Sequence, residues 1–157
     1  MKTAVVYYSY TGTTKKYAEK IRDKMDAELI EIKPIKDIKA KGVASYVTGG
    51  IRSLKKKAPE LMEYSFDSSD YDLIILASPV WAFTYSPAMR SFLEKEKLTG
   101  CKVACLLTHL GDPKEAVNKF NNAVSGNELA GSLDLCGKDD EGYNMNRLNR
   151  WIGNLQK

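Results

Sequence analysis

Ala4-Val5-Val6-Tyr7-Tyr8-Ser9-Tyr10-Thr11-Gly12-Thr13-Thr14-Lys15-Lys16-Tyr17-Ala18-Glu19-Lys20-Ile21 decides how the rest of the chain is read. Ala4 to Tyr8 are β-branched, aromatic or small and apolar, the composition of a strand. From about Thr13 the period changes, and Tyr17, Ala18, Ile21 and Met25 fall at helical spacing. Ser9 to Thr14 lie between the two as a tight strand-to-helix turn. The turn holds four hydroxyl residues and Gly12, and it contains no carboxylate. A helix N-terminus leaves backbone N–H groups unpaired and carries a partial positive charge, so it attracts anions. Ser and Thr also cap helices. Four hydroxyls around a single glycine exceed what a cap needs, and the turn is read as a phosphate-binding site.

Outward from this turn, strand-like and helix-like runs alternate. The later strands are Glu28-Leu29-Ile30-Glu31-Ile32, stopped by Pro34; Leu73 to Ala77, ended by Pro79; Val103 to Leu107; and a segment within Glu128 to Leu135. One helix is expected to start near Pro87, a residue suited to a first helical turn, and to bury Met89, Phe92 and Leu93. Another starts near Pro113, with Ala116, Val117, Phe120, Ala123 and Val124 on one face. The last runs from about Tyr143, with Leu148, Trp151, Ile152 and Leu155 as its apolar stripe; Trp151 is therefore a core residue. The region from Ile35 to Leu61 is ambiguous, with a helix around Tyr46 to Lys57 preceded or interrupted by Gly49-Gly50.

This alternation predicts an α/β, doubly wound, five-stranded parallel sheet with helices on both faces. Strands 1, 3 and 4 are almost wholly apolar, as central strands are, whereas strands 2 and 5 include Glu31, Ser132 and Asp134. The expected order is therefore 2-1-3-4-5, within a single domain spanning 1–157.

Composition sets the limits. The 157 residues are 43% hydrophobic and 28% charged, ordinary for a globular chain with a core. No apolar run approaches the ~20 residues of a membrane helix. Met1 to Tyr8 lacks the long apolar region and small-residue cleavage site of a signal peptide. A cytoplasmic protein that does not enter a membrane is expected. Cys101, Cys105 and Cys136 are an odd number at irregular spacing, with His109 the only histidine; neither a disulfide framework nor a metal site is expected. The net charge is +4, but Lys33 to Lys57 holds eight basic residues against Asp37 alone, a local +7 that leaves −3 elsewhere. Such a segment suits an acidic partner and reads equally as a solvated helix face. Apart from Tyr46 it lacks interleaved aromatics, so a nucleic-acid partner is not expected.

Other nucleotide motifs fail. No G-x-G-x-x-G follows the first strand, and no G-x-x-x-x-G-K-[ST] is present. Gly131 to Asp139 is a near miss with Asp139 where a hydroxyl would have to bind magnesium. A phosphorylated receiver domain needs an aspartate after strand 3, where Ser78-Pro79 stand. There is also no Ser-His-Asp or Cys-His set and no carboxylate pair in the loops, so no catalytic side chain is assigned.

The opening stretch resembles the flavodoxin signature. Val5, Val6, Tyr7, Ser9, Gly12, Thr14, Ala18 and Ile21 supply its apolar, aromatic, hydroxyl, small and helical positions in register. Ser78-Pro79-Val80-Trp81-Ala82-Phe83-Thr84-Tyr85-Ser86-Pro87 resembles the family's second flavin loop, and Thr108-His109-Leu110-Gly111-Asp112 a shortened third one. The resemblance covers essentially the whole chain and implies FMN held without a covalent bond, at the switch point between strands 1 and 3. It implies that Ser9, Thr11, Gly12, Thr13 and Thr14 hold the phosphate, with Tyr10 taking part through its backbone. Ser78, Pro79, Val80, Trp81, Ala82, Phe83 and Thr84 would line the ribityl chain and one side of the ring, with Trp81 as the stacking residue. Thr108, His109, Gly111 and Asp112 would complete the site. Two departures stand out. Pro113 replaces the aromatic residue that often follows Gly-Asp, which leaves His109 either as the cover of the second flavin face or as an exposed loop histidine. Ala82 stands where many members have glycine, so a positive φ there costs more.

The function implied is an FMN electron carrier that shuttles electrons between redox partner proteins, an acidic ferredoxin-type protein or a flavin reductase. The alternative is an FMN-dependent NAD(P)H reductase of quinones or nitro compounds, because the same fold and site serve both.

Overall fold

A computed structural model describes residues 1–36 and 58–157. The helix expected around Tyr46 to Lys57, the Gly49-Gly50 bend and most of the basic segment lie outside the described residues.

The apolar run after Lys2 forms β1 (Thr3–Tyr7), every residue of which is buried. It is followed by α1 (Thr13–Met25) and β2 (Glu28–Glu31). A 3-10 turn (Ser68–Asp70) leads into β3 (Leu73–Trp81), which doubles back into the short β4 (Thr84–Tyr85). Next come α2 (Pro87–Glu96), β5 (Lys102–His109), α3 (Lys114–Ala123), β6 (Glu128–Cys136) and α4 (Glu141–Leu155). Among the described residues the sheet is six-stranded, in the order β2-β1-β3-β5-β6 with β4 attached to β3. The pairs along the main path are all parallel. The predicted order 2-1-3-4-5 is therefore the order found, with β5 and β6 as the fourth and fifth parallel strands.

The sixth strand corrects the expectation that Pro79 ends the third. β1 pairs with β3 only as far as Tyr7 opposite Ala77. Beyond that point β1 has turned away, so Pro79 needs no N–H on that side, a position where proline is tolerated. Ser78 and Pro79 continue to pair with Leu107 and Thr108 of β5. Val80 and Trp81 then pair antiparallel with Tyr85 and Thr84.

Alternation along the strands separates two cores. Val5, Tyr7, Ile75, Ala77, Ala104 and Leu106 face Tyr17, Ala18 and Ile21 of α1 and Leu148, Trp151 and Ile152 of α4. Val6, Tyr8, Ile74, Leu76, Cys105 and Leu107 face Met89 and Phe92 of α2 and Ala116 and Phe120 of α3. Fully burying a Leu, Ile or Phe contributes roughly 1.5–3 kcal/mol, and Ile75, Leu76, Leu106, Phe92 and Phe120 are all at 0% exposure. Trp151 is a core residue, as its stripe predicts, and it packs so close to β6 that a Cβ on Gly131 would meet its Nε1 at 3.1 Å. Ala123 departs from its predicted face. It is exposed in the last turn of α3, while Val124, just past the helix, turns inward.

Helix ends follow local chemistry. Ser86 caps α2, accepting from Met89 N, with Pro87 in the first turn. Asp140 caps α4 by accepting from Tyr143 N, so this helix starts at Glu141, two residues before the predicted Tyr143. Cys101, Cys105 and Cys136 are free thiols. No helix among the described residues is long and apolar enough to cross a membrane.

Candidate functional site

Parallel strands place all their C-terminal ends along one edge of the sheet, and the loops leaving β1, β3 and β5 meet there. The first is the hydroxyl-rich turn. Gly12 sits at the N-cap of α1 with φ 94°, a left-handed conformation that glycine adopts without steric cost. Among the described residues no side chain caps α1, and its first turn contains no acidic residue. Among the described residues, a Cβ placed on Gly12 would meet nothing within 4 Å, so they leave open space above the turn. Ser9 Oγ accepts from Gly12 N at 3.1 Å, which leaves the Ser9 proton available. Thr11 and Thr13 are 3.2 Å apart through their hydroxyls. Thr14 is turned inward, 1% exposed, with Oγ1 2.8 Å from Thr108 Oγ1 at the end of β5. Uncapped N–H donors, spare hydroxyl protons, open space and no nearby carboxylate on the first turn fit a phosphate group.

The second loop is the β3–β4 hairpin. Trp81 is half-buried, with its ring edge-on to Tyr8 at 5.6 Å and to Tyr10 at 5.7 Å between centroids. These contacts tie the hairpin to the first turn. The two residues at the tip, Ala82 and Phe83, have φ of 48° and 62°. Two successive left-handed residues between paired strands are the geometry in which hairpins normally place Asn-Gly. Here Phe83 is 64% exposed at the tip. The Ser78 hydroxyl is fully buried, accepts from Ser86 N at 2.9 Å and lies 3.0 Å from Ser86 Oγ. It braces the base of the hairpin against the start of α2.

The third loop leaves β5. The His109 side chain is 6% exposed, with Nε2 3.2 Å from Asp134 Oδ2, and Arg147 lies 3.7 Å from the other oxygen of Asp134. The imidazole is thus not an exposed loop group. Among the described residues His109 Nδ1 is buried without a partner. Gly111 and Asp112 are exposed, and Asp112 accepts from Lys114 N at 3.0 Å, which ties its carboxylate to the start of α3.

The flavodoxin sequence model matches residues 2–133. The chain belongs to the flavodoxin family. A flavoprotein from Lactobacillus acidophilus, solved in complex with FMN, is 29% identical with a TM-score of 0.74, covering 96% of this chain and 97% of its own. A flavoprotein from Bacteroides uniformis is 24% identical with a TM-score of 0.80, covering 97% of each chain. The apo form of an NADH:FMN oxidoreductase is 19% identical with a TM-score of 0.62, covering 99% of this chain and 89% of its own. The last two share the fold. No curated protein sequence matches the chain significantly.

For this flavodoxin-family chain, the structure brings Ser9 to Thr14, Val80 to Thr84 and Thr108 to one edge of the sheet. Ser78 is turned into the protein beneath that edge. Two neighbours of the site were not assigned to it from the sequence: Asp134 and Arg147. Asp134 could have been found, because Leu133 and Leu135 alternate with it and place it on the opposite face near the end of β6. Arg147 carried no local signal.

Proposed function

We propose that this chain binds FMN without a covalent bond and carries electrons between redox proteins. The observation that carries the reading is the uncapped start of α1 beneath Ser9, Thr11, Thr13 and Thr14, with Trp81 beside it. In this reading the N–H groups of the first turn and the surrounding hydroxyls hold the phosphate. Each charge-assisted hydrogen bond of this kind contributes on the order of 1.5–3 kcal/mol. Trp81 is held edge-on by Tyr8 and Tyr10, so its ring has a fixed orientation in which to cover the flavin and exclude water. Phe83, at the exposed tip, borders the site. Bound FMN supplies the capacity to take up and release one or two electrons, while the protein sets access and environment.

The basic residues between Lys33 and Lys57 support an acidic partner, of the ferredoxin type or a flavin reductase, and a cytoplasmic location suits such an exchange. The alternative activity, reduction of quinones or nitro compounds at the expense of NAD(P)H, is separated by one experiment. The FMN-loaded protein is mixed anaerobically with NADH or NADPH and its flavin absorbance followed. A carrier keeps its colour until a flavin reductase is added. Rapid bleaching by the nucleotide alone contradicts the carrier reading and establishes the reductase.

A further inference from the structure

Thr14 and Thr108 are 1% and 4% exposed, and their hydroxyl oxygens are 2.8 Å apart. Among the described residues neither hydroxyl has a second hydrogen-bond partner. Each hydroxyl has one proton, and the single bond between them uses only one of the two. The pair therefore keeps one buried donor proton unspent, and buried donors are nearly always satisfied by something. Where that proton lies depends on which residue donates. If Thr14 donated, the spare proton would sit on Thr108, within the paired end of β5 opposite Pro79. If Thr108 donates, the spare proton sits on Thr14, in the uncapped first turn of α1, which directly follows the segment carrying Ser9, Thr11 and Thr13. Only the second arrangement aims a donor at a bound anion.

We propose that Thr108 is a positioning residue for phosphate recognition: it donates to Thr14 Oγ1 and thereby turns the Thr14 proton toward a phosphate oxygen. This rests on the FMN reading above and adds to it a residue, on a different strand, that acts only through Thr14. A hydroxyl that accepts a hydrogen bond is also polarised into a better donor. The third loop is in this way coupled to the phosphate and not only to the flavin ring.

The test titrates cofactor-free wild type, Thr108→Val, Thr108→Ser, Thr14→Val and the double variant T14V/T108V with FMN and with riboflavin. Valine keeps the branched shape and strand preference of threonine while removing the donor. T108V is expected to weaken FMN binding about tenfold, the loss of roughly 1.4 kcal/mol, while riboflavin binding stays within about twofold by the same conversion. Thr108→Ser should restore FMN affinity, and T14V/T108V should bind FMN no worse than T14V. Equal weakening of both ligands, unchanged FMN affinity in T108V, failure of serine to rescue, or additive losses in the double variant each overturn the proposal. Should T108V not fold, as judged by circular dichroism, T108A takes its place with the same criteria. A wild type with no preference for FMN over riboflavin defeats the FMN reading and this inference together. A wild-type preference that is undiminished in T108V defeats the inference alone.

Discussion

His109 Nε2 lies 3.2 Å from Asp134 Oδ2, and this contact fastens the end of β5 to β6. An ionised carboxylate only accepts hydrogen bonds, so the pairing puts a proton on Nε2 and leaves Nδ1 as the acceptor in the neutral ring. Gly137 N donates to the His109 carbonyl at 2.7 Å, so backbone and side chain of His109 are both tied to β6.

Replacing Asp134 by Ala removes the imidazole's partner and leaves a buried ring with neither nitrogen satisfied, since Nδ1 has no partner among the described residues. The expected cost is about 1–3 kcal/mol, that of an unsatisfied buried polar group. Arg147→Ala, which breaks a 3.7 Å contact between partly exposed side chains, should cost under ~1 kcal/mol. Urea denaturation of the two variants checks the order; equal effects would mean that His109 does not depend on Asp134.

The Ser78–Ser86 pair predicts a second stability effect. Ser86 caps α2, and Ser78 Oγ accepts from Ser86 N at 2.9 Å. Ser86→Ala should destabilise by roughly 0.5–2 kcal/mol, the usual cost of a lost N-cap. Because the two hydroxyls share one network, S78A/S86A should lose less than the sum of the single losses. Thermal or urea unfolding of the three variants measures this, and strict additivity would show that the pair is not coupled.

Thiol reactivity should separate the three cysteines. Burial pushes the Cys105 thiol up to about 12, and its side chain lies in the core on the α2–α3 face. Cys101 and Cys136 are partly exposed. The thiolate is the reactive form, so at pH 8 Cys105 is expected to resist a thiol reagent until the protein unfolds. Mass spectrometry after native labelling reads the outcome. Rapid native modification of Cys105 would contradict the buried β5.

The hairpin tip predicts a gain. Ala82 and Phe83 both occupy left-handed backbone conformations, each costing an L-residue roughly 1–2 kcal/mol. Replacing them by Asn-Gly matches the turn's preferred residues. Part of the gain is offset by the greater unfolded-chain freedom of glycine, about 0.4–1 kcal/mol. A net stabilisation on the order of 1 kcal/mol is expected in the cofactor-free protein. Its melting temperature decides the matter, a drop being evidence that the tip does not hold two left-handed residues.

Much of this fold was legible because its strands are written by burial. Leu73 to Ala77 and Val103 to Leu107 are apolar at every position, and such runs belong in the middle of a parallel sheet covered on both faces. The same logic put Glu28–Ile32 and the Ser132–Asp134 stretch at the edges, where they are. The hydroxyl-rich turn between β1 and α1 was legible because its residues are local: Gly12 and the hydroxyls are neighbours in sequence. β4 was not legible. Two residues carry no period, and Pro79 reads as a stop unless it is known that β1 has already left the strand's other side. Pairs such as Thr14–Thr108 and His109–Asp134 join residues far apart in the chain, and no spacing in the sequence announces them. Ala82-Phe83 misled in the other direction, because neither residue type signals the left-handed turn that the surrounding strand pairing imposes on them.

In the FMN reading, the turn from Ser9 to Thr14 holds the cofactor's phosphate. The most direct measurement is the identity of the flavin that the purified protein releases when it is denatured, read by chromatography against FMN, FAD and riboflavin standards. FMN is predicted as the released flavin, in the purified protein or after incubation of the cofactor-free chain with a flavin mixture. Release of FAD as the main flavin, or failure of the cofactor-free chain to take up FMN, would contradict the account.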